Sequence, residues 1–462
     1  MSHFKEVDIK VLKKYDKPGP RYTSYPTAPL FTENFGKEEY KEEIVKTNKD
    51  SGAPDLSLYF HFPFCDTLCY FCGCTMLITH DRNRISDYNN YIKKEIDITA
   101  PLVSKERKVA QLHWGGGTPS YLTPDEIRDV GAYTMKNFNF DDDIEASVEV
   151  DPRGFTRDHM VAFGEAGFNR ISMGVQDFDP AVQKIVNRIQ GEDITRNVVD
   201  WARELGFKSI NLDLIYGLPY QSVKEFEKTL DIIIDISPER LAVFNYAHVP
   251  WLKKHQNVIT ADMLPAPDTK LEILKMTIEK LIDAGYEYIG MDHFSKPTDE
   301  LSIAQKNKTL YRNFQGYSIK SGCDVYAFGM SAISQFQNIY AQNYKSLQDY
   351  FDRINAGEFA TCVGYRMTED DQIRKYTIMR LMCDMELTKK DVEDKFGINF
   401  DEYFESSLKK LDEFIEGGFI SAENGTIKIQ GNGRLIIRNI AMCFDAYIDK
   451  MMAEKPIFSR TV

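Results

Sequence analysis

The chain lacks any apolar run long enough to cross a bilayer. Its longest runs, such as Ile232 to Ile234, fall far short of the roughly 18 residues that a spanning helix needs. The start, MSHFKEVDIKVLKKYDK, alternates charged and apolar residues and has no apolar core of the secretory-signal kind. An excess of positive charge is also missing. Lys and Arg number 57 against 70 Asp and Glu, a formal net charge of −13, which argues against a broad nucleic-acid surface. It does not exclude an anionic small molecule, because a local group of Arg and Lys can sit inside an acidic protein. A cytoplasmic protein with no membrane span and no nucleic-acid partner is expected.

Cysteines are few, but half of them are crowded together. Of eight, Cys65, Cys69, Cys72 and Cys74 fall within ten residues, whereas Cys323, Cys362, Cys383 and Cys443 are scattered. In a reducing compartment a tight group points to metal ligation, and scattered thiols read as buried or inert. No second CxxC pair exists, which removes the usual two-knuckle zinc site.

Hydrophobic residues make up 43% of 462, enough for a sizeable core and for two or three domains. Over the first two-thirds, a β-branched and aromatic run followed by a helical stretch recurs six times. The runs are 56–63, 109–114, 146–150, 171–175, 209–215 and 240–246. Several are nearly continuous in apolar residues, as in parallel strands buried on both faces. Thr123-Pro124-Asp125-Glu126 and Ser222-Val223-Lys224-Glu225 read as capping boxes. The fold class is therefore α/β, a partial or full parallel (β/α) barrel over residues 56–363. A seventh run, 286–291, extends the sheet.

Two segments flank this barrel. An N-terminal arm, 1–55, carries Pro18-Gly19-Pro20-Arg21-Tyr22-Thr23-Ser24-Tyr25-Pro26-Thr27, where Pro and Gly prevent regular structure. It reads as a linker or as an arm packed on the catalytic body; two tyrosines and an arginine favour the arm. Residues 364–462 form a mainly helical C-terminal domain with a winged-helix-like order of helix, helix and hairpin. Asp391, Glu393 and Asp394 crowd its would-be recognition segment, so a lid or packing role fits better than DNA binding.

The chemistry concentrates in Cys65-x3-Cys69-x2-Cys72, directly after the first strand. Three thiolates can hold three corners of a [4Fe–4S] cluster and leave the fourth iron open to a small molecule. A zinc ion with Cys74 as fourth ligand is the alternative, although Cys72-Gly73-Cys74 is cramped for one tetrahedral ion. On a barrel, chemistry belongs at the strand ends. These ends carry Trp114-Gly115-Gly116-Gly117-Thr118, Glu149-Val150-Asp151, Gln176-Asp177, Asp213 with Tyr216-Gly217, and Asn245-Tyr246-Ala247-His248. Glycines there let a ligand approach the backbone, and a carboxylate can accept from ribose hydroxyls. Taken alone, each polar strand end is equally an ordinary solvated feature.

The three-cysteine spacing after a first barrel strand resembles the radical S-adenosylmethionine superfamily. From arm to tail the chain resembles its oxygen-independent coproporphyrinogen III oxidase family. The segments that carry this are 19–27, 65–74, 113–118, 149–153, 172–177, 213–219, 244–248, 290–294, 312–317, 329–334 and Phe458-Ser459-Arg460. The resemblance implies a [4Fe–4S] cluster on Cys65, Cys69 and Cys72 and two molecules of S-adenosylmethionine. The first would touch Tyr59, Phe71, Gly116, Glu149 and Ile333, and the second Gly117, Thr118, Gln176, Arg188, Asp213 and Ala247. Cys74 would be an extra cysteine that matters for activity in a role left open. The implied reaction is oxidative decarboxylation of two propionates of coproporphyrinogen III to vinyl groups through 5′-deoxyadenosyl radicals, in porphyrin biosynthesis. The implied partners are a porphyrinogen substrate and an unidentified electron donor, on a monomer. Arg21, Lys296 and Arg312 are candidate grips for the substrate's carboxylates, with surface salt bridges as the alternative for each.

Overall fold

The computed structural model describes residues 6–50, 52–454, 458, 460 and 461, so Ser459 of the tail motif lies outside the described residues. Six parallel strands form the centre: β1 (Leu56–Phe62), β2 (Lys108–Gly116), β3 (Asn139–Val150), β4 (Arg170–Gln176), β5 (Ser209–Tyr216) and β6 (Arg240–Asn245). Then come β7 (Glu287–Gly290), β8 (His293–Ser295), β9 (Asp324–Phe328), β10 (Ile333–Gln335), β11 (Ile339–Asn343) and β12 (Thr361–Arg366). All twelve share one open sheet, ordered β12-β11-β10-β9-β1-β2-β3-β4-β5-β6-β8-β7. Strands β9 and β1 to β6 run parallel, and both margins are antiparallel. The barrel is partial. The run expected at 286–291 does extend the sheet, but as the outer strand of an antiparallel hairpin.

The central strands are not apolar on both faces, contrary to the expectation for several of them. On β1, Leu56, Leu58, Phe60 and Phe62 join the main hydrophobic core. Between them, the Ser57 hydroxyl bonds Gln111 and the Tyr59 hydroxyl bonds His61. On β3, Ala146, Val148 and Val150 face the core while Glu145, Ser147 and Glu149 face the barrel interior. One face packs on helices and the other carries chemistry, so the period is 2. Register places Tyr59 beside His113, His113 beside Ser147, Glu149 beside Ser172, and Gly174 beside Asp213.

Helices α1 (Arg82–Thr99), α2 (Pro124–Asn137), α3 (Arg157–Glu165), α4 (Glu192–Glu204), α5 (Val223–Ile236) and α6 (Pro267–Asp283) follow the strands. Thr123 and Glu126 close a full capping box on α2. The second expected box is half formed: Ser222 accepts from the Glu225 amide at 3.3 Å, but the Glu225 carboxylate pairs with Lys228 at 2.6 Å. The longer-range Coulomb attraction of an ammonium outcompetes a single backbone N–H there. Among the described residues, no helix is long and apolar enough to cross a membrane.

In the C-terminal part, α7 (Glu369–Asp384), α8 (Lys389–Phe396) and α9 (Glu405–Glu416) surround a three-stranded sheet of Glu386–Thr388, Thr426–Ile429 and Ile420–Glu423. The arm is not a solvated linker. Its Tyr15, Tyr22 and Tyr25 belong to this part's hydrophobic core. The Tyr22 hydroxyl donates to Asp445 at 2.9 Å, and the Tyr25 amide donates to Tyr340 at 3.3 Å. Further along, Thr32 pairs with Gly364 at the β12 edge, and Pro18 pairs with Arg460 of the tail. The arm thus ties the sheet edge, the C-terminal part and the tail together.

Candidate functional site

The loop after β1 brings Cys65, Cys69, Cys72 and Cys74 to one cavity of about 150 Å³ at the strand ends. Phe71, Gly116, Gly117, Thr118, Glu149, Gln176 and Arg188 line the same space. Asp213 lies in the adjoining barrel interior, which shares Glu149 and Ser172 with that cavity. Tyr59 and Ile333 line a neighbouring cavity of about 240 Å³, and Ala247 a fourth of about 390 Å³. The expected site residues therefore gather at one end of the central strands in several cavities, not in a single pocket.

Backbone tethers hold the loop in place. Lys253 Nζ donates to the Cys74 carbonyl at 2.8 Å, His255 Nε2 to that of Cys72 at 2.8 Å, and Gln256 Nε2 to that of Phe71 at 2.9 Å. Asn187 reaches the Leu68 carbonyl from the other side at 2.8 Å. Sequence reasoning missed residues 253–256 altogether, since nothing local distinguishes them from a surface loop.

The thiols differ in environment. Burial pushes Cys65 up to about 12, although it hydrogen-bonds Thr118 at 3.1 Å. A hydrogen bond from the Cys74 thiol, helped by its amide and by His255 and Lys253, draws Cys72 down to about 6. Cys74 keeps the shared proton and is pushed up. Cys69 faces two guanidinium groups, Arg153 Nη2 at 3.5 Å and Arg188 Nη1 at 3.7 Å.

Around these thiols the polar groups are oriented. Glu149 accepts from the Gly116 amide at 3.2 Å and from His113 Nε2 at 3.2 Å. Burial pushes Glu149 up, but the His113 and Gly116 contacts outweigh it and leave the carboxyl below its ordinary range. His113 stacks on Tyr59 and takes the Ser147 hydroxyl at Nδ1, so His113 is an orienting residue that was not singled out in the sequence. Asp213 accepts from Asn211 at 2.7 Å and from Ser172 at 3.3 Å, and burial pushes it up to about 7.

Gly116 and Gly117 line the cavity and have a second job besides the one expected of them. A Cβ on Gly116, which sits at φ 114°, would lie 2.5 Å from the His61 ring. One on Gly117 would lie 2.4 Å from the Pro63 carbonyl. Their bareness lets the ends of β1 and β2 close on each other, and only then does the backbone line the cavity.

Among the described residues, no three Cys, His, Asp or Glu side chains are gathered on a point that one ion could fill. Three thiols lining one cavity are a donor set that suits a polynuclear iron–sulfur cluster. Arg188 Nε is buried in the same cavity without a hydrogen-bond partner among the described residues, a donor suited to an added ligand.

The fold and the thiol loop define a radical S-adenosylmethionine protein. Residues 59–233 match the Radical SAM superfamily and 367–436 match the HemN C-terminal domain. The chain is 44% identical over 457 residues to the oxygen-independent coproporphyrinogen III oxidase of Pseudomonas aeruginosa, covering 98% of each chain. It is 42% identical to that of Escherichia coli over 455 residues, again 98% of each. The solved structure of coproporphyrinogen III oxidase (HemN) from Escherichia coli, described as a radical SAM enzyme, superposes with a TM-score of 0.91 at 42% identity, covering 96% of this chain and 100% of that one. The chain belongs to the oxygen-independent coproporphyrinogen III oxidase family. Membership implies a [4Fe–4S] cluster and S-adenosylmethionine as cofactors.

Proposed function

We propose that this chain decarboxylates two propionate side chains of coproporphyrinogen III without oxygen, giving the two vinyl groups of protoporphyrinogen IX. The observation that carries this reading is a thiol-lined cavity opening beside a cation-lined one at the ends of the same sheet. Gln256 joins the two, donating to the carbonyls of both Phe71 at 2.9 Å and Ala247 at 3.3 Å. The second cavity, about 390 Å³, is lined by Arg21, Lys270, Arg438 and Arg460, with Tyr216, Trp251 and Leu274 between them. Cations at the rim and apolar or aromatic walls suit a tetrapyrrole with four carboxylates.

Arg21 is aimed into this cavity by an ion pair with Asp292. Burial, and then the repulsion of Arg438 and Arg312, lowers Arg21 from its ordinary value, which makes an incoming carboxylate welcome. Lys270 is likewise lowered by burial and makes no ion pair among the described residues. Arg312 is buried and donates to the Arg21 carbonyl at 3.3 Å, so it supports Arg21 and does not reach the cavity itself. Lys296 is at the wrong end. It bonds the Ser237 carbonyl at 2.7 Å and Glu239 at 3.4 Å, just before β6 begins, because β8 runs antiparallel to β6.

Cys65, Cys69 and Cys72 would hold the cluster, with Cys74 outside the ligand set. The bound cofactors supply one-electron cleavage of a sulfonium and, with it, hydrogen-atom abstraction. The chain's residues bind and orient. Tyr59, Phe71, Gly116, Glu149 and Ile333 would contact one S-adenosylmethionine, and Gly117, Thr118, Gln176, Arg188, Asp213 and Ala247 a second. Lys253, His255 and Gln256 hold the thiol loop in place by its backbone carbonyls. On the substrate, loss of a β-hydrogen, CO2 and one electron completes each vinyl group, so two propionates accord with two cofactor molecules. We also read the chain as a monomer served by an external electron donor. Its parts are an arm (1–55), a catalytic barrel (56–363) and a C-terminal domain (364–462).

The test is an anaerobic assay of the reconstituted protein with coproporphyrinogen III, S-adenosylmethionine and a reductant. Vinyl product with 5′-deoxyadenosine is expected. 5′-Deoxyadenosine without vinyl product would overturn the substrate assignment.

A further inference from the structure

The three ligand thiols are not treated alike. Cys65 meets a hydroxyl, Thr118, and Cys72 meets the amide and thiol of Cys74. Among the described residues, Cys69 is the one of the three whose sulfur takes hydrogen bonds from cationic side chains, whereas His255 and Lys253 act on Cys72 only through space. The chain leaves β3 at Val150 and turns through Asp151 and Pro152, and Arg153 folds back over the turn. Arg153 Nη2 bonds Asp151 Oδ2 at 2.6 Å and Cys69 Sγ at 3.5 Å. Arg188 Nη1 bonds the same carboxylate oxygen at 3.1 Å and the same sulfur at 3.7 Å. The Arg153 side chain has no other partner among the described residues, so nothing else in the fold accounts for its place.

We propose that Asp151, Arg153 and Arg188 form a charge device that sets the reduction potential of the cluster held on this loop, acting through Cys69. This rests on the cluster assignment above. Two guanidinium groups share one carboxylate, which leaves a net positive charge against a ligand sulfur. Cys69 is only 8% exposed, so solvent screens that charge weakly. Reduction adds one electron to the cluster. A nearby cation stabilises the reduced form and raises the potential, and a nearby carboxylate does the reverse. Arg153 and Asp151 are thus positioning residues with opposite effects, and this opposition distinguishes electrostatic tuning from mere support of the loop.

The test uses anaerobically reconstituted holoenzyme without S-adenosylmethionine, titrated potentiometrically and followed by electron paramagnetic resonance. For Arg153→Gln, the reduced-to-oxidised ratio at a fixed potential should fall about tenfold, equivalent to 59 mV for one electron. Asp151→Asn should move the ratio the other way. Arg153→Lys keeps the charge and should stay near the parent. An unchanged potential in Arg153→Gln overturns the proposal, as does movement of Asp151→Asn in the same direction, which marks loosening of the loop. A rise confined to the KM for S-adenosylmethionine would make Arg153 a cofactor grip and equally overturn it. Failure of the parent protein to take up iron and sulfide would instead defeat the cluster assignment, a result visible before any titration.

Discussion

Replacing Arg438 by alanine should free the arm and tail without unfolding the barrel. Arg438 is 5% exposed, and its guanidinium donates to the carbonyls of Pro20 at 2.9 Å and Arg460 at 2.9 Å, and also to that of Gly19. Each hydrogen bond from a charged donor contributes about 1.5–3 kcal/mol, so the three sum to an upper figure of about 5–9 kcal/mol. Whole domains are stable by only about 5–15 kcal/mol. The loss is nevertheless capped, because once the arm lets go it can lose nothing further. The arm holds Arg21 at the proposed substrate cavity, so its release has a kinetic signature. Trypsin should cut the Arg21–Tyr22 bond at least about tenfold faster, which corresponds to about 1.4 kcal/mol of easier local opening. The KM for the porphyrinogen should rise while cluster content stays constant. Arg438→Lys should rescue in part, since an ammonium has three donors but not the planar fork. Unchanged cleavage and KM in Arg438→Ala, or collapse of the whole molecule in one transition, would refute the reasoning.

Three further outcomes are expected. Alanine at Cys65, Cys69 or Cys72 should abolish the brown cluster absorption, whereas Cys74→Ser should keep its iron but lose turnover. Loss of iron from Cys74→Ser would make it a ligand. Arg21→Ala should raise the porphyrinogen KM at least about tenfold by removing a charge-assisted contact, while Lys296→Ala, at the opposite end of the sheet, should leave it unchanged. Equal effects would undo the assignment of ends. Glu95 is 3% exposed and accepts from the Gly329 amide, Tyr350 and Asn343. Burial pushes it up to about 7 from 4.5, so the folded state holds its proton more tightly than the unfolded state between those values. Stability from this group is full below the lower value and is lost as pH rises to the upper one, by about 3 kcal/mol at most. Urea melts at pH 5 and pH 8 should show that difference shrink in Glu95→Gln; an equal difference in both proteins would discard Glu95 as its source.

Much of the site was legible because its groups are local. Cys65, Cys69 and Cys72 lie on one loop, the glycines follow one strand, and Glu149 ends another. Spacing along a chain is enough to bring such groups together once the strands are recognised by their length and their helical intervals. The six central strands were found for that reason, although their polar inner face was misread where apolar residues dominated the count.

The sequence by itself determined the chemistry: which thiols crowd together, which strand ends carry carboxylates and cations, and that an acidic chain keeps a few arginines in its arm and tail. Only the tertiary structure decided which cation meets which group. Lys296 went to the far end because β8 reverses direction, Arg438 met the arm from more than four hundred residues away, and residues 253–256 reached the carbonyls of the thiol loop. Such contacts depend on strand order and register, and these are settled by packing the whole core at once. No local pattern of residues records that outcome.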